Sequence, residues 1–266
     1  MQTSPTKHRL KTMKITNPAY DYDTRESSYA TIRKTDKRIA SHVLKALGNA
    51  KTVLNIGAGT GSYEPDDRYV LAVEPSKSMR NQRLLHGRSP AVQARADSLP
   101  FDKHSFDAAM AIITLHHWLD IPKGLQEMAR VADTIVLLTF DPDSLSLHWN
   151  AHYFPELIAV EKQRFPSIEY LQNYLPASSV IRPIPVPFDC HDGFQEAFYG
   201  RPEAFLNPLV RKSQSAWGFV DDKTETTMVK RLADDLESGE WDKKFGHFRK
   251  MPFFLGALRL IICRQS

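Results

Sequence analysis

Thr52-Val53-Leu54-Asn55-Ile56-Gly57-Ala58-Gly59-Thr60-Gly61-Ser62 carries a short, mostly apolar or β-branched run straight into three glycines at alternate positions. Glycine lacks a Cβ, so the backbone there can take positive φ and lie close to a bound molecule. Thirteen residues after Gly61, Glu74 closes a second short run, Tyr69-Val70-Leu71-Ala72-Val73. An acid at the end of the neighbouring strand can accept hydrogen bonds from both hydroxyls of a ribose. The pattern predicts a site for a nucleoside-containing ligand on the first two strands of a sheet.

The third glycine decides which nucleoside. Dinucleotide sites use G-x-G-x-x-G, with the pyrophosphate on the N-terminus of the following helix. This chain reads G-x-G-x-G, and Ser62 stands where the last glycine belongs. Glu64, Asp66 and Asp67 follow and are expected to repel a pyrophosphate, while Pro65 shortens any helix there. A cationic ligand without phosphate, S-adenosyl-L-methionine, suits the loop better than NAD.

Outward from the loop, strand and helix signals alternate. A helix is predicted over 29–47, where Ile32, Ile39, Ala40, Val43, Leu44 and Leu47 repeat at helical spacing and Gly48-Asn49 supplies a stop. Strand 52–56, helix 77–86, strand 91–96, strand 106–113, helix 122–131 and strand 134–140 follow. Such alternation predicts an α/β fold with a parallel sheet that binds ligands at the carboxyl ends of its strands. The glycine loop, Glu74, Asp97 and Thr114 all fall at such ends.

Further motifs stand in order: Val73-Glu74-Pro75-Ser76, Ala96-Asp97-Ser98-Leu99-Pro100-Phe101, Ser105-Phe106-Asp107 and Leu115-His116-His117-Trp118. Together with the glycine loop they make the chain resemble the class I S-adenosylmethionine-dependent methyltransferases, in particular the type 11, ubiquinone/menaquinone-biosynthesis-like group. The resemblance covers roughly 20–141, with a weaker echo at the C-terminal strand. It implies a Rossmann-like sheet, mostly parallel with an antiparallel C-terminal strand, and a helical cap over the acceptor site. The implied donor is S-adenosyl-L-methionine and the product S-adenosyl-L-homocysteine, without a metal.

The resemblance also implies residue roles. Gly57, Gly59 and Gly61, with Ala58 among them, line the methionine and ribose portion, and Glu74 holds the ribose hydroxyls. Pro75 or Ser76 flanks the adenine, Asp97 accepts from its exocyclic amine, and Ser98 offers backbone nearby. Ile113 and Thr114 lie beside the methyl group. Taken alone, Glu74 reads as a solvated strand end and Asp97 as a turn cap; their joint placement favours binding. Tyr20 is a candidate cofactor or acceptor contact, in a segment that folds over the cofactor in relatives.

Methyl transfer depends on alignment, and an oxygen or nitrogen acceptor must also lose a proton, for which a histidine titrating near the operating pH is suited. His116 and His117, just after the fourth strand, are the catalytic candidates, although such a doublet also serves as a structural turn. His148, Trp149, His152 and Tyr153 are candidate substrate contacts from the aromatic- and proline-rich stretch 142–250. There Ser179–Val186 reads as a strand broken by Pro183 and Pro185, and Gly256–Cys263 as the final strand. An aromatic cap implies a small, partly apolar acceptor.

Four domains of behaviour are expected: a disordered basic tail over 1–19, a cofactor-binding core over 20–141, a cap with part of the sheet over 142–250, and the C-terminal strand over 251–266. The 266 residues are 42 % hydrophobic and 25 % charged, enough for one core with an appendage. No run approaches the roughly 20 apolar residues of a membrane helix, so no membrane partner is expected. Cys190 and Cys263 make neither a disulfide framework nor a metal motif, which points to the cytoplasm. Asp189 and Asp192 flank Cys190-His191 and disfavour a reactive thiolate.

The net charge of +4 comes from Lys7, Arg9, Lys11 and Lys14, leaving 31 bases against 31 acids elsewhere. That balance disfavours nucleic acid as a partner. Thr114-Leu115-His116-His117 also lacks the polar-Pro-Pro-aromatic motif of nucleic-acid amino-methyltransferases. The expected activity is methyl transfer to an O, N or C atom of a small molecule such as a secondary metabolite, by a monomer or homodimer. The alternatives are a non-catalytic S-adenosylmethionine binder and an NAD-dependent oxidoreductase.

Overall fold

Short apolar runs bounded by glycine, proline and acids make strands here, and longer runs with one apolar face make helices that cover them. The computed structural model describes residues 32–264; the predicted tail over 1–19 and Tyr20 lie outside the described residues. Strands β1 (Thr52–Ile56), β2 (Tyr69–Val73), β3 (Ala91–Val92), β4 (Phe106–Ile112) and β5 (Ala132–Phe140) pair in parallel. β6 (Val180–Pro183) and β9 (Leu258–Arg264) complete a seven-stranded sheet in the order β3-β2-β1-β4-β5-β9-β6. β9 runs antiparallel to both its neighbours, the predicted antiparallel C-terminal strand. Chain order reverses between β1 and β4, which makes the crevice above their carboxyl ends the natural ligand site.

Helices α1 (Lys37–Leu47), α2 (Lys77–Leu85) and α3 (Ile121–Val131) flank the sheet. Each is capped by a side chain on a backbone N–H: Asp36 on Arg38, Ser76 on Met79 and Asp120 on Lys123. The helix predicted over 29–47 is interrupted: residues 29–31 lie outside the described residues, Arg33 bridges Asp192, and α1 starts at Lys37 with Asp36 as its cap. The strand predicted over 91–96 shrinks to Ala91–Val92, because a tight Arg95–Ser98 bridge pulls the chain away from β2. The proline-broken strand divides: β6 stays in the sheet, while β7 (Val186–Pro187) leaves to pair with β8 (Phe253–Phe254).

No helix connects β1 to β2. In its place a loop carries Glu64 inward, where Arg83 of α2 grips both carboxylate oxygens at 2.7 and 2.8 Å and Asn55 of β1 donates at 2.8 Å. This ion pair is buried. Gly61 follows from it: φ is +91°, and a Cβ would lie 2.7 Å from the Arg83 guanidinium.

The stretch 142–250 packs as a lid that includes α4 (Pro155–Arg164) and α5 (Asp222–Glu237). Trp149, Tyr153, Phe154, Phe205, Trp217 and Trp241 form its interior, and that interior is continuous with the face of the sheet under α1. Lid and sheet share one hydrophobic core.

Candidate functional site

Above the carboxyl ends of β1, β2 and β4 lies a cavity of about 510 Å³. Its floor is the glycine loop. Gly57 leaves β1 with φ +65°, and a Cβ would stand 2.2 Å from the Thr114 hydroxyl. Glycine is therefore required there twice, by conformation and by space. Glu74 closes the adjacent wall. Its Oε2 accepts from the Gly59 N–H at 2.8 Å and its Oε1 from the Ser76 N–H at 2.9 Å. Arg80 holds the turn behind it, donating to the Glu74 and Pro75 carbonyls. The carboxylate is thereby aimed.

Of the expected cofactor residues, Gly57, Ala58, Gly59, Glu74, Pro75, Ser76, Asp97, Ile113 and Thr114 line this cavity together. Two do not. Gly61 faces Arg83 and the buried Glu64, so it serves the loop's internal packing. Ser98 is exposed and its N–H is committed to the Arg95 carbonyl at 3.2 Å. Asp97 is paired with Arg95, whose guanidinium holds its carboxyl below the usual range. Asn55, Met79, Arg95 and Trp118 also line the cavity; Asn55 and Trp118 stand within motifs but carried no expected role, and Met79 and Arg95 stand outside them.

The expectation that an acidic cluster repels pyrophosphate needs a different reason. Glu64 is neutralised by Arg83, Asp66 pairs with Arg88, and Asp67 with Arg68. What the loop lacks is a helix N-terminus. In addition, the N–H groups of Ala58, Gly59 and Gly61 are already bonded to Val73, Glu74 and Ala58.

β4 ends at Ile112, and Ile113 takes φ +49° while its N–H bonds to the Leu138 carbonyl at 2.7 Å. A β-branched residue at positive φ is strained, and such strain gathers at functional sites. Leu115–His117 then forms a single 3₁₀ turn. Ile113 and His117 line the large cavity and also a second, smaller one of about 50 Å³ under the lid. His116 lines only the second and stacks 4.2 Å from the Phe165 ring.

Burial and the nearby Arg164 and Arg33 push the His117 imidazole down to about 3. Burial drives His116 well below its usual value as well. The expectation of a histidine titrating near the operating pH does not hold: both rings are neutral at pH 7.

His148 also lines the second cavity. The other three expected substrate contacts lie elsewhere. Trp149 is buried and donates to the Tyr199 carbonyl at 2.7 Å. Tyr153 is buried with its hydroxyl on Asp235 at 2.8 Å. His152 is exposed against Arg231. Their rings build the lid's interior and flank, while His148, Leu145 and Asn150 line the second cavity.

Among the described residues, no group of three or more metal-ligating side chains is found and no helix is long and apolar enough to cross a membrane. Residues 54–134 match the model of a methyltransferase domain family. A solved Anabaena variabilis structure, described as a methyltransferase from an antibiotic biosynthesis pathway, is 30 % identical with a TM-score of 0.81. The match covers 87 % of this chain and 98 % of that one. A demethylmenaquinone methyltransferase of Roseiflexus castenholzii is 28 % identical over 56 % of this chain and 68 % of its own length. The Bacillus subtilis YcgJ structure shares the fold, with a TM-score of 0.51 at 20 % identity, over 87 % of this chain and all of that one.

Proposed function

The chain belongs to the S-adenosylmethionine-dependent methyltransferases, and on that premise we propose that its larger cavity holds S-adenosyl-L-methionine and its smaller one a small-molecule methyl acceptor. The observation that carries this reading is the fixed Glu74 carboxylate, held by the Gly59 and Ser76 N–H groups at the wall of the cavity. Two aimed oxygens there suit the two hydroxyls of a ribose. Arg95 and Asp97 mark the adenine end, with Met79 as an apolar wall. A volume of about 510 Å³ lies within the range of cofactor sites, roughly 300–1,000 Å³.

The bound donor supplies an electrophilic methyl group on a sulfonium. The chain supplies alignment, which accounts for a large part of such a rate. Ile113 and His117, common to both cavities, form the partition where donor and acceptor meet. With its pKa pushed down to about 3, His117 is a weak base, so its role is to accept a hydrogen bond and orient the acceptor. Gly61 and Ser98 are support for the loop and turn. Residues 142–250 act as the acceptor lid over the core.

A space of about 50 Å³ has room for a small acceptor group. The loop's missing helix N-terminus and committed amides argue against NAD. A cytoplasmic location is in keeping with two buried, unbridged cysteines. Calorimetry of the intact chain with S-adenosylhomocysteine, followed by acceptor turnover with labelled donor, tests the reading. Saturable binding with turnover supports it. Absence of binding refutes it, and binding without turnover on any acceptor turns it into a non-catalytic binder.

A further inference from the structure

The walls of the smaller cavity hold more polar atoms than they satisfy. Among the described residues, Glu196 Oε2, Gln195 Oε1, Asn150 Oδ1 and His148 Nε2 have no hydrogen bond, Glu161 Oε2 has only the Arg164 guanidinium at 3.5 Å, and all five residues line that one space. Glu196, Asn150, His148 and Glu161 are each at least nine-tenths buried. Buried polar atoms are seldom left in this state, and a cluster of them facing one cavity asks for a ligand.

The sense of the missing bonds can be read. Gln195 donates through Nε2 to Glu161 Oε1 at 2.8 Å, which fixes its amide and leaves Oε1 to accept. Glu196 Oε1 accepts from the Ala257 N–H at 2.7 Å, leaving Oε2 over. His148 Nδ1 accepts from the Asn150 N–H at 3.1 Å, so Nε2 carries the ring proton. Accepting oxygens therefore outnumber donors, and the ligand must bring hydrogens.

Charge agrees with this count. Glu161 has the Arg164 guanidinium at 3.5 Å, Arg33 is bound by Asp192, and Arg259 by Asp141. Among the described residues, no cationic side chain pairs with Glu196. The walls also include Phe140, Phe165 and Phe194 beside the Asp192-bound Arg33, and aromatic rings can attract a cation.

We propose that the methyl acceptor is a small amine, bound as its ammonium by Glu196 with Gln195 and Glu161 alongside, and methylated on nitrogen. This deepens the function proposed above and rests on it. About 50 Å³ is room for roughly three to five water-sized groups, and Glu196 and His117 line that same space. There the ammonium passes one proton to the Glu196 carboxylate, and the freed lone pair attacks the methyl carbon. The N–C bond forms as the S–C bond breaks. Sulfur keeps that electron pair as a neutral thioether, and the positive charge passes to the nitrogen. Burial pushes the Glu196 carboxyl up to about 7, suited to taking and returning a proton near neutrality. A carboxylate acceptor would meet like charge, and an alcohol would satisfy fewer oxygens.

The test uses the intact chain saturated with S-adenosylhomocysteine, titrated with ethylammonium and in parallel with ethanol and acetate, and followed by NMR. The same three compounds are offered with labelled donor. Ethylammonium is expected to bind at least tenfold more tightly than either oxygen compound and to yield N-methylated product. Glu196→Gln is expected to weaken ethylammonium tenfold or more while S-adenosylhomocysteine affinity stays within twofold. Ethanol or acetate binding as well as ethylammonium, no saturable ethylammonium binding, or an unchanged amine affinity in Glu196→Gln overturns the proposal. If that variant does not fold, the wild-type comparison decides alone. A wild-type chain that fails to bind S-adenosylhomocysteine refutes the cofactor reading instead, so the two failures are distinct.

Discussion

Replacing Glu74 by alanine removes a carboxylate that faces the cavity from a position fixed by two backbone N–H groups, at 2.8 Å from Gly59 and 2.9 Å from Ser76. Those two amides border a space that water can enter, so the loss of folding stability is expected to be modest, about 1 kcal/mol. The loss of ligand binding is larger. Two hydrogen bonds from ribose hydroxyls to a charged acceptor contribute about 1.5–3 kcal/mol each, so the variant gives up roughly 3–6 kcal/mol. At 1.4 kcal/mol per decade, that is roughly a 10²- to 10⁴-fold rise in Kd. Isothermal calorimetry with S-adenosylhomocysteine measures it, with thermal unfolding run alongside to separate binding from folding. The 2′-deoxyribose analogue completes a cycle, because it should lose affinity for the wild type and much less for the variant. A Kd within threefold of wild type, in a chain that unfolds as the wild type does, would refute the assignment of Glu74 to the sugar.

Three more outcomes follow from the same geometry. Arg83→Ala leaves Glu64 as an uncompensated buried charge and is expected to destabilise the fold by about 3–5 kcal/mol; urea unfolding checks it, and a change under 1 kcal/mol would remove the pair as the loop's strut. His117→Ala is expected to lower turnover at least tenfold while S-adenosylhomocysteine affinity stays within twofold; unchanged turnover removes His117 from the mechanism. Stability should also depend on pH. Burial holds His117 and His148 down at about 3 and His116 well below its usual value, whereas Glu196 is pushed up to about 7. Between pH 6.5 and 5 the unfolded chain comes to bind three histidine protons that the folded chain refuses, while the folded chain holds one on Glu196 that the unfolded chain lacks. The net difference of about two protons lowers stability by about 2.7 kcal/mol per pH unit of acidification. Urea titrations at pH 5 and pH 6 read this slope, and a flat or reversed slope contradicts the burial of these groups.

Comparison of particular elements shows where sequence reading succeeds. β1, β2, β4, β5 and β9 were legible because each is an apolar run closed by a local breaker, and a run of that kind states its own length. Gly57, Glu74 and Thr114 were legible as neighbours around one cavity because each ends one of those strands, and a parallel sheet brings such ends together. Gly61 belonged to the same motif, yet it answers to Arg83, which lies 22 residues further along the chain. Trp149 and Tyr153 were legible as aromatic and lid-borne, but pattern alone could not separate a ring that lines a cavity from one that fills a core.

The sequence by itself determined the sheet, its antiparallel last strand and the line of residues that end those strands around the larger cavity, because these depend on local runs and on the ends they produce. Only the tertiary structure decided that a buried Glu64–Arg83 pair stands in for the first crossover helix. It alone brought Glu161, Gln195 and Glu196 of the lid to the far side of the turn that holds His117. The physical reason is that charge compensation and cavity walls are made between residues distant in the chain, and their spacing in sequence carries no trace of their meeting.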